Sequence, residues 1–313
     1  MKRSLLILLI ILITLPAIAG SKKNKKTLLK TKYGTVQILP KKNPWNTNIS
    51  KFKVHPNSKN FIKSIGANTS IHADFGTTWQ GVPNGIPYVI VSSKQKKVPV
   101  KFQYADESDI GPYPIPKDAP IEGGSNGKGD RHIIMIDPKR KQLFELFHAF
   151  KTDKGWKAGS GAIFDLSSNA LRPKGWTSAD AAGLPIFPGL VRYEEVVIQK
   201  EITHALRFTV KKSQRGYILP ATHFASKHKD KNLPPMGLRL RLKKEFDISK
   251  FPPTAQVILK ALKKYGMYVA DNGSDWFISG APHPKWNDDH LNSLKKVKGN
   301  DFEVIYTGEI VTK

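Results

Sequence analysis

Residues 130–150 read DRHIIMIDPKRKQLFELFHAF. Two apolar runs flank the turn PKRK, the pattern of two antiparallel strands joined by a tight connection. Side chains alternate along a strand. Pairing Asp137 with Gln142 therefore predicts Ile134 opposite Glu145 and His132 opposite Phe147. Asp130, His132 and Glu145 then share a face with Ile134, Ile136, Leu143 and Phe147. A carboxylate among apolar neighbours has its pKa raised, which is what a general acid needs.

Short alternating runs recur outward from this hairpin, among them IPYVIV (86–91) and VPVKFQY (98–104), with Gly and Pro between them. Such punctuation predicts a mainly β chain, an antiparallel sandwich or barrel-like body. The Pro-, Gly- and acid-rich residues 106–130 form a long loop, a length that in compact domains marks function or disorder. The last seventy residues change character. FPPTAQVILKALKKY (251–265) reads as a helix with Pro in its first turn, an apolar stripe of Val257, Ile258, Ala261, Leu262 and Tyr265, and Gly266 as its stop. MYVA (267–270), a turn at Asp271-Asn272-Gly273, WFIS (276–279), a short helix and DFEVIYTG follow. The expected organisation is a signal peptide (1–19), a basic flexible segment (20–42), a β body (43–248) and an α+β segment (249–313) packed on it.

A second pair of runs, EITHALRFTV (201–210) and GYILPATH (216–223), reads as another hairpin. With Val210 opposite Tyr217, His204 lands opposite His223, their Cβ atoms about 5 Å apart, while Arg207 points from the other face and stays outside the site. If both hairpins line one cavity, His132, Glu145, His204 and His223 converge with Asp130. Two readings stay open: an acid–base centre, with Glu145 as acid or base, or a divalent-metal site held by His204, His223 and Glu145. No metal motif of fixed spacing supports the second. The structural alternative makes these histidines hydrogen-bonded core residues and pairs Glu145 with Arg131 or Arg207.

The first residues, MKRSLLILLIILITLPAIAG, have a basic start, an apolar core and a small-residue cleavage site at Ala17-Ile18-Ala19, the pattern of an export signal. The apolar run is short of the about 20 residues of a membrane span, and no later run is long enough. The expected product is exported, periplasmic or extracellular, and spans no membrane after cleavage. Without cysteine there is no disulfide, thiol nucleophile or Cys-held metal.

The net charge is +26, most of it from lysine. A solvated lysine surface explains it, as does attraction to an anionic envelope polymer. No nucleic-acid-binding signature is present, which disfavours a specific reader. Neither G-x-S-x-G, a Walker loop, a dinucleotide fingerprint nor HExxH occurs, which disfavours a serine hydrolase, a nucleotide enzyme and a zincin. Trp79, Tyr113, Trp156, Trp176, Trp276 and Trp286 sit in or beside Gly/Pro loops, where exposed rings stack on sugars or buried ones plug the body.

Several phrases occur as a set: YADESDIGPYPIP (104–116), GWTSADAAGLPIFPGLVRYEEV (175–196), ITHALRF (202–208) and YGMYVADNGSDWFISGAPHPKW (265–286). Over residues 43–304 the chain resembles a family of secreted bacterial proteins that also occurs beside other extracellular modules. The resemblance implies polymers outside the cell and no settled activity. Together these readings predict a carbohydrate-active enzyme, a hydrolase or lyase on an extracellular or envelope polysaccharide. The alternative is a non-catalytic glycan- or envelope-binding protein.

Overall fold

The computed structural model describes residues 28–312. The signal-peptide reading lies outside the described residues, as does the start of the basic segment. Residues expected to be its flexible continuation are ordered instead: Leu28–Thr31 pairs with Gly34–Gln37, and Val36, Ile38 and Leu39 enter the core.

The chain is mainly β, in mixed and antiparallel sheets with few helices. The hairpin that opened the sequence forms in the expected register: Ile133–Asp137 pairs with Gln142–Phe147, Asp137 facing Gln142 and Ile134 facing Glu145. Ser160–Asp165 and Tyr88–Ile90 complete a four-stranded sheet. It is buried on both faces, which explains the continuous apolar run HIIMI. Ile134, Ile136 and Leu143 join the main core, while Ile133, Met135, Phe144 and Leu146 pack a smaller one with Val100 and Tyr113.

A six-stranded sheet stands beyond the main core. Its order is Phe302–Val304, Arg239–Leu242, Met267–Asn272, Leu206–Val210, Phe277–Ser279 and His72–Asp74. The C-terminal strands therefore lie inside this sheet, with Met267–Asn272 parallel to Leu206–Val210. The helix Pro253–Lys264 buries the expected stripe. Gly266 follows it at φ 69°, where a Cβ would stand 2.1 Å from the Leu240 carbonyl oxygen.

Residues 177–191 run between the two sheets and bond to both. Ala182 N–H donates to the Ala270 carbonyl and Val191 N–H to Ser279 on one side. On the other, Ile186 and Phe187 N–H donate to the Glu145 carboxylate. The small residues of this segment allow that approach: a Cβ on Gly189 would meet the Trp45 ring at 2.7 Å.

The second hairpin does not form. Leu206–Val210 pairs with Met267–Asn272 and Phe277–Ser279, and Tyr217 bridges Met236 and Val311 instead. His204 falls before the strand begins, so the opposition of His204 and His223 is lost. Among the described residues no helix is long and apolar enough to cross a membrane.

Candidate functional site

Where the segment 177–181 passes the end of the six-stranded sheet, a cavity of about 370 Å³ opens, lined by Tyr104, Asp130, Thr177, Asp180, His223 and Asp271 among others. Asp271 gets there through a bulge. Period two from Tyr268 would send Asp271 to the face opposite Arg207, because Tyr268 pairs with Arg207. The register shifts after Phe208, so that Asp271 pairs with Thr209, two residues on from Arg207 and on its face. Bulges commonly re-aim side chains at sites of this kind.

Arg207 grips Asp180 with two bonds, Nε to Oδ2 at 3.1 Å and Nη2 to Oδ1 at 2.8 Å, and donates a third to Ser279 Oγ. Asp180 raises the pKa of this guanidinium despite its burial. Burial raises Asp180 in turn, against the pull of Arg207. Asp271 stands against Asp180 without a cation of its own. Burial first, and the Asp180 charge second, push its carboxyl up to about 7.

The long loop 106–130 adds Glu107 and Asp130 to the lining, and next to Asp130 stands an ion pair. His132 Nδ1 meets Glu122 Oε2 at 2.6 Å, and its Nε2 donates to the Ala179 carbonyl at 3.0 Å. Burial disfavours a charged imidazole here, but Glu122 outweighs it and lifts His132 to about 9. Glu122 is held below the usual carboxylate range by His132, although burial works the other way. Asp130 is exposed at the cavity. Asp74 ends the edge strand, and desolvation by the protein around it raises its carboxyl, helped by Glu122 and Asp130 and opposed by Arg207.

The five residues expected in one site therefore separate. Asp130 and His223 line this cavity, and His132 reaches it only through its bond to the Ala179 carbonyl; His223 Nδ1 donates to the Ala181 carbonyl, and its Nε2 lies 3.9 Å from Glu107. Glu145 does not border it. Its carboxylate is fully buried and accepts the Ile186 and Phe187 N–H groups, with its pKa pushed up to about 7, as expected, by burial. His204 is buried elsewhere, its Nδ1 donating to the Ala205 carbonyl while Nε2 meets Arg192 and Glu195. Neither structural pairing foreseen for Glu145 occurs: Arg131 bonds loop carbonyls and Arg207 bonds Asp180.

The proposed metal ligands His204, His223 and Glu145 thus keep different company, each bonded to its own backbone partners. The one group of three possible ligands within 4.8 Å of each other, among the described residues, is Glu122, Asp130 and His132. Both ring nitrogens of His132 are engaged, so as placed it offers a metal no lone pair.

Asp74, Glu122, Asp180, Arg207 and Asp271 were not in the expected site. Asp180 lies in the quoted stretch 175–196 and Glu122 in the Gly-rich loop 106–130, but nothing local marks them as convergent. Of the loop aromatics, Tyr113, Trp276 and Trp286 are core residues, while Trp79 is 65 % exposed. Its hairpin abuts the loop that carries Glu122, for a Cβ on Gly124 would meet Val82 at 3.4 Å.

No family model, curated protein or solved structure matches this chain. The resemblance therefore assigns it no activity.

Proposed function

We propose that the protein is a glycan hydrolase whose acid is Asp271 and whose second carboxyl group is Asp130. The observation that carries this reading is the pair itself: two carboxyl groups bordering one cavity, one of them raised to about 7. Glycoside hydrolysis needs such a pair, a protonated acid for the departing oxygen and a carboxylate that either activates water or attacks the sugar. Of the other carboxyl groups in the lining, Asp180 is committed to Arg207 and Glu107 accepts the Thr177 N–H, which leaves Asp130 for the second role. Arg207, Asp180 and His132 act as positioning residues that hold the charges apart. Exposed Trp79 offers a sugar-stacking face on the hairpin that abuts the loop 106–130.

The local charge narrows the substrate. Glu107, Asp130, Asp180 and Asp271 line the cavity, with Asp74 and Glu122 near enough to Asp130 to add to its charge, no lysine lines it, and both buried cations already have a carboxylate. A neutral or amino-bearing sugar suits this cavity better than a uronic acid. Elimination from a uronate needs a free cation for the sugar carboxylate, so hydrolysis is the favoured half of the hydrolase–lyase pair. The exported setting and the lysine surface then serve to bring the protein to an envelope polymer.

The test is release of new reducing ends from soluble glucans, N-acetylglucosamine polymers, glucosamine polymers and polyuronates. Release from one of the first three, lost in Asp271→Asn, is the expected result. Binding without release from any polymer would replace this reading with the non-catalytic one.

A further inference from the structure

A groove of about 750 Å³, against about 370 Å³ for the carboxylate cavity, opens at the far edge of the six-stranded sheet. The helix Ser58–Ile65 packs there on the edge strand Phe302–Val304, the edge opposite the one that ends at Asp74. Residues four apart share a helix face, and Lys59 and Lys63 both line the groove from that helix. Lys243 joins them from just past the strand Arg239–Leu242. All three lysines are exposed.

The acceptors in this groove are taken. Glu303, the one carboxylate in its lining, is held by Arg241 at 2.7 Å. The Asn300 carbonyl accepts Lys243 Nζ at 2.6 Å, which keeps that ammonium on the groove wall. His55 Nδ1 accepts the Asn57 N–H at 3.0 Å, and burial lowers the pKa of the ring, so His55 is a neutral donor through Nε2. Asp301 and Glu309 stand nearby, but they accept from Lys298 N–H and the Tyr306 hydroxyl and do not line the groove. What the groove offers is donors, positive charge and an apolar side, where Val54 is 46 % exposed.

A lysine on a convex surface meets counterions singly. Three around one concavity add their fields, and low-dielectric walls focus them. Lysine is a mobile point charge rather than a planar fork, which suits repeated anions better than one precisely oriented phosphate. Lys59 and Lys63 are set about 6 Å apart along the helix axis, close to the length of one sugar unit in an extended chain. A uronic acid chain supplies a carboxylate for each ammonium, hydroxyl oxygens for His55 and apolar CH faces for Val54.

We propose that this groove is a second polysaccharide site, which binds a polyuronate and anchors the protein on it. The inference does not depend on the acid at Asp271. It gives the anionic polymer a place of its own, away from an acidic cavity that repels it.

The experiment is calorimetry at 0.15 M salt with hexamers of 1,4-linked galacturonate and 1,4-linked glucose. The galacturonate hexamer is expected to bind, and the glucose hexamer at least about tenfold more weakly, the combined worth of three exposed charge pairs. Lys59→Gln/Lys63→Gln/Lys243→Gln should lose at least about tenfold of the galacturonate affinity for the same reason. Lys139→Gln/Lys154→Gln/Lys212→Gln makes an equal change of net charge at exposed lysines outside the groove. It should lose less than about threefold, since only screened long-range attraction is removed. Val54→Glu tests the groove without touching a lysine and should weaken binding as the first triple variant does. Equal losses in the two triple variants would reduce the site to general surface charge and overturn the proposal. So would failure to bind the galacturonate hexamer, including the case where the protein binds only phosphatidylglycerol vesicles. Asp271→Asn should leave this affinity unchanged. Affinity lost in Asp271→Asn and kept in the first triple variant would put the uronate in the carboxylate cavity instead.

Discussion

A carboxyl group keeps its proton near neutrality only where ionising would cost more than losing it, and Asp271 stands in such a place. It is largely enclosed, faces the ion-paired Asp180, and has no cation of its own. Asp271→Asn removes the proton donor while keeping the shape. Turnover is expected to fall about 10²–10⁴-fold, with an unchanged circular dichroism melt. The same chemistry fixes the pH response. Asp271 must be protonated to act, so kcat should decline as pH rises through about 7. A rate flat from pH 6 to 9 on a confirmed substrate would remove Asp271 from the acid role. Alternation along residues 201–210 placed Arg207 opposite His204 and outside the site; instead His204 falls before the strand and Arg207 bonds Asp180 in the candidate site. What alternation could not tell was which face borders the site. A histidine and an arginine both look out of place in a core run, and only the long-range partner decides.

At the scale of elements, the first hairpin was legible because its two strands are close in sequence and buried on both faces. The helix Pro253–Lys264 was legible through its stripe, proline and glycine. The pairing of Leu206–Val210 was not, since its neighbours arrive from residues 267–279 and no local signal names them. Nor was the bulge that turns Asp271, because Asp-Asn-Gly reads as a turn wherever it occurs. Glu145 shows how a correct local expectation acquires a different use. Its raised pKa belongs to a tie between the four-stranded sheet and the segment that carries Asp180. The folded value, about 7, lies above the ordinary one of 4.5, so its contribution is complete below pH 4 and is lost as pH rises through 7. Denaturant unfolding should find the protein less stable at pH 8.5 than at pH 5.5, with a share on the order of 2 kcal/mol from this residue. Glu145→Gln, neutral throughout, is expected to flatten that slope. An equal slope in the variant would mean that other groups cause it.

Over the whole molecule, charge is segregated. A chain of net charge +26 carries an acidic cavity, and composition reports only the first. The two should respond differently to salt. Adsorption to an anionic polymer is expected to weaken steeply between 0.05 and 0.5 M salt, as exposed charges are screened within about a Debye length. Hydrolysis of a short neutral saccharide should change little over the same range. Parallel loss of both would place the lysines in the substrate site after all. The candidate site draws on the edge strand ending at Asp74, the loop 106–130, the segment 177–181 and the strand Met267–Asn272. That spread is why no local pattern groups Asp130 and His223 with Asp180 and Asp271.

The most direct test needs no substrate. Carboxyl ¹³C NMR of the aspartate-labelled protein, with the Asp271 resonance identified by its loss in Asp271→Asn, reads the proton on that group as pH is varied. The account predicts a midpoint near 7. A midpoint near 4 would show an ionised Asp271 at neutral pH, and the acid on which the proposed hydrolysis depends would not exist.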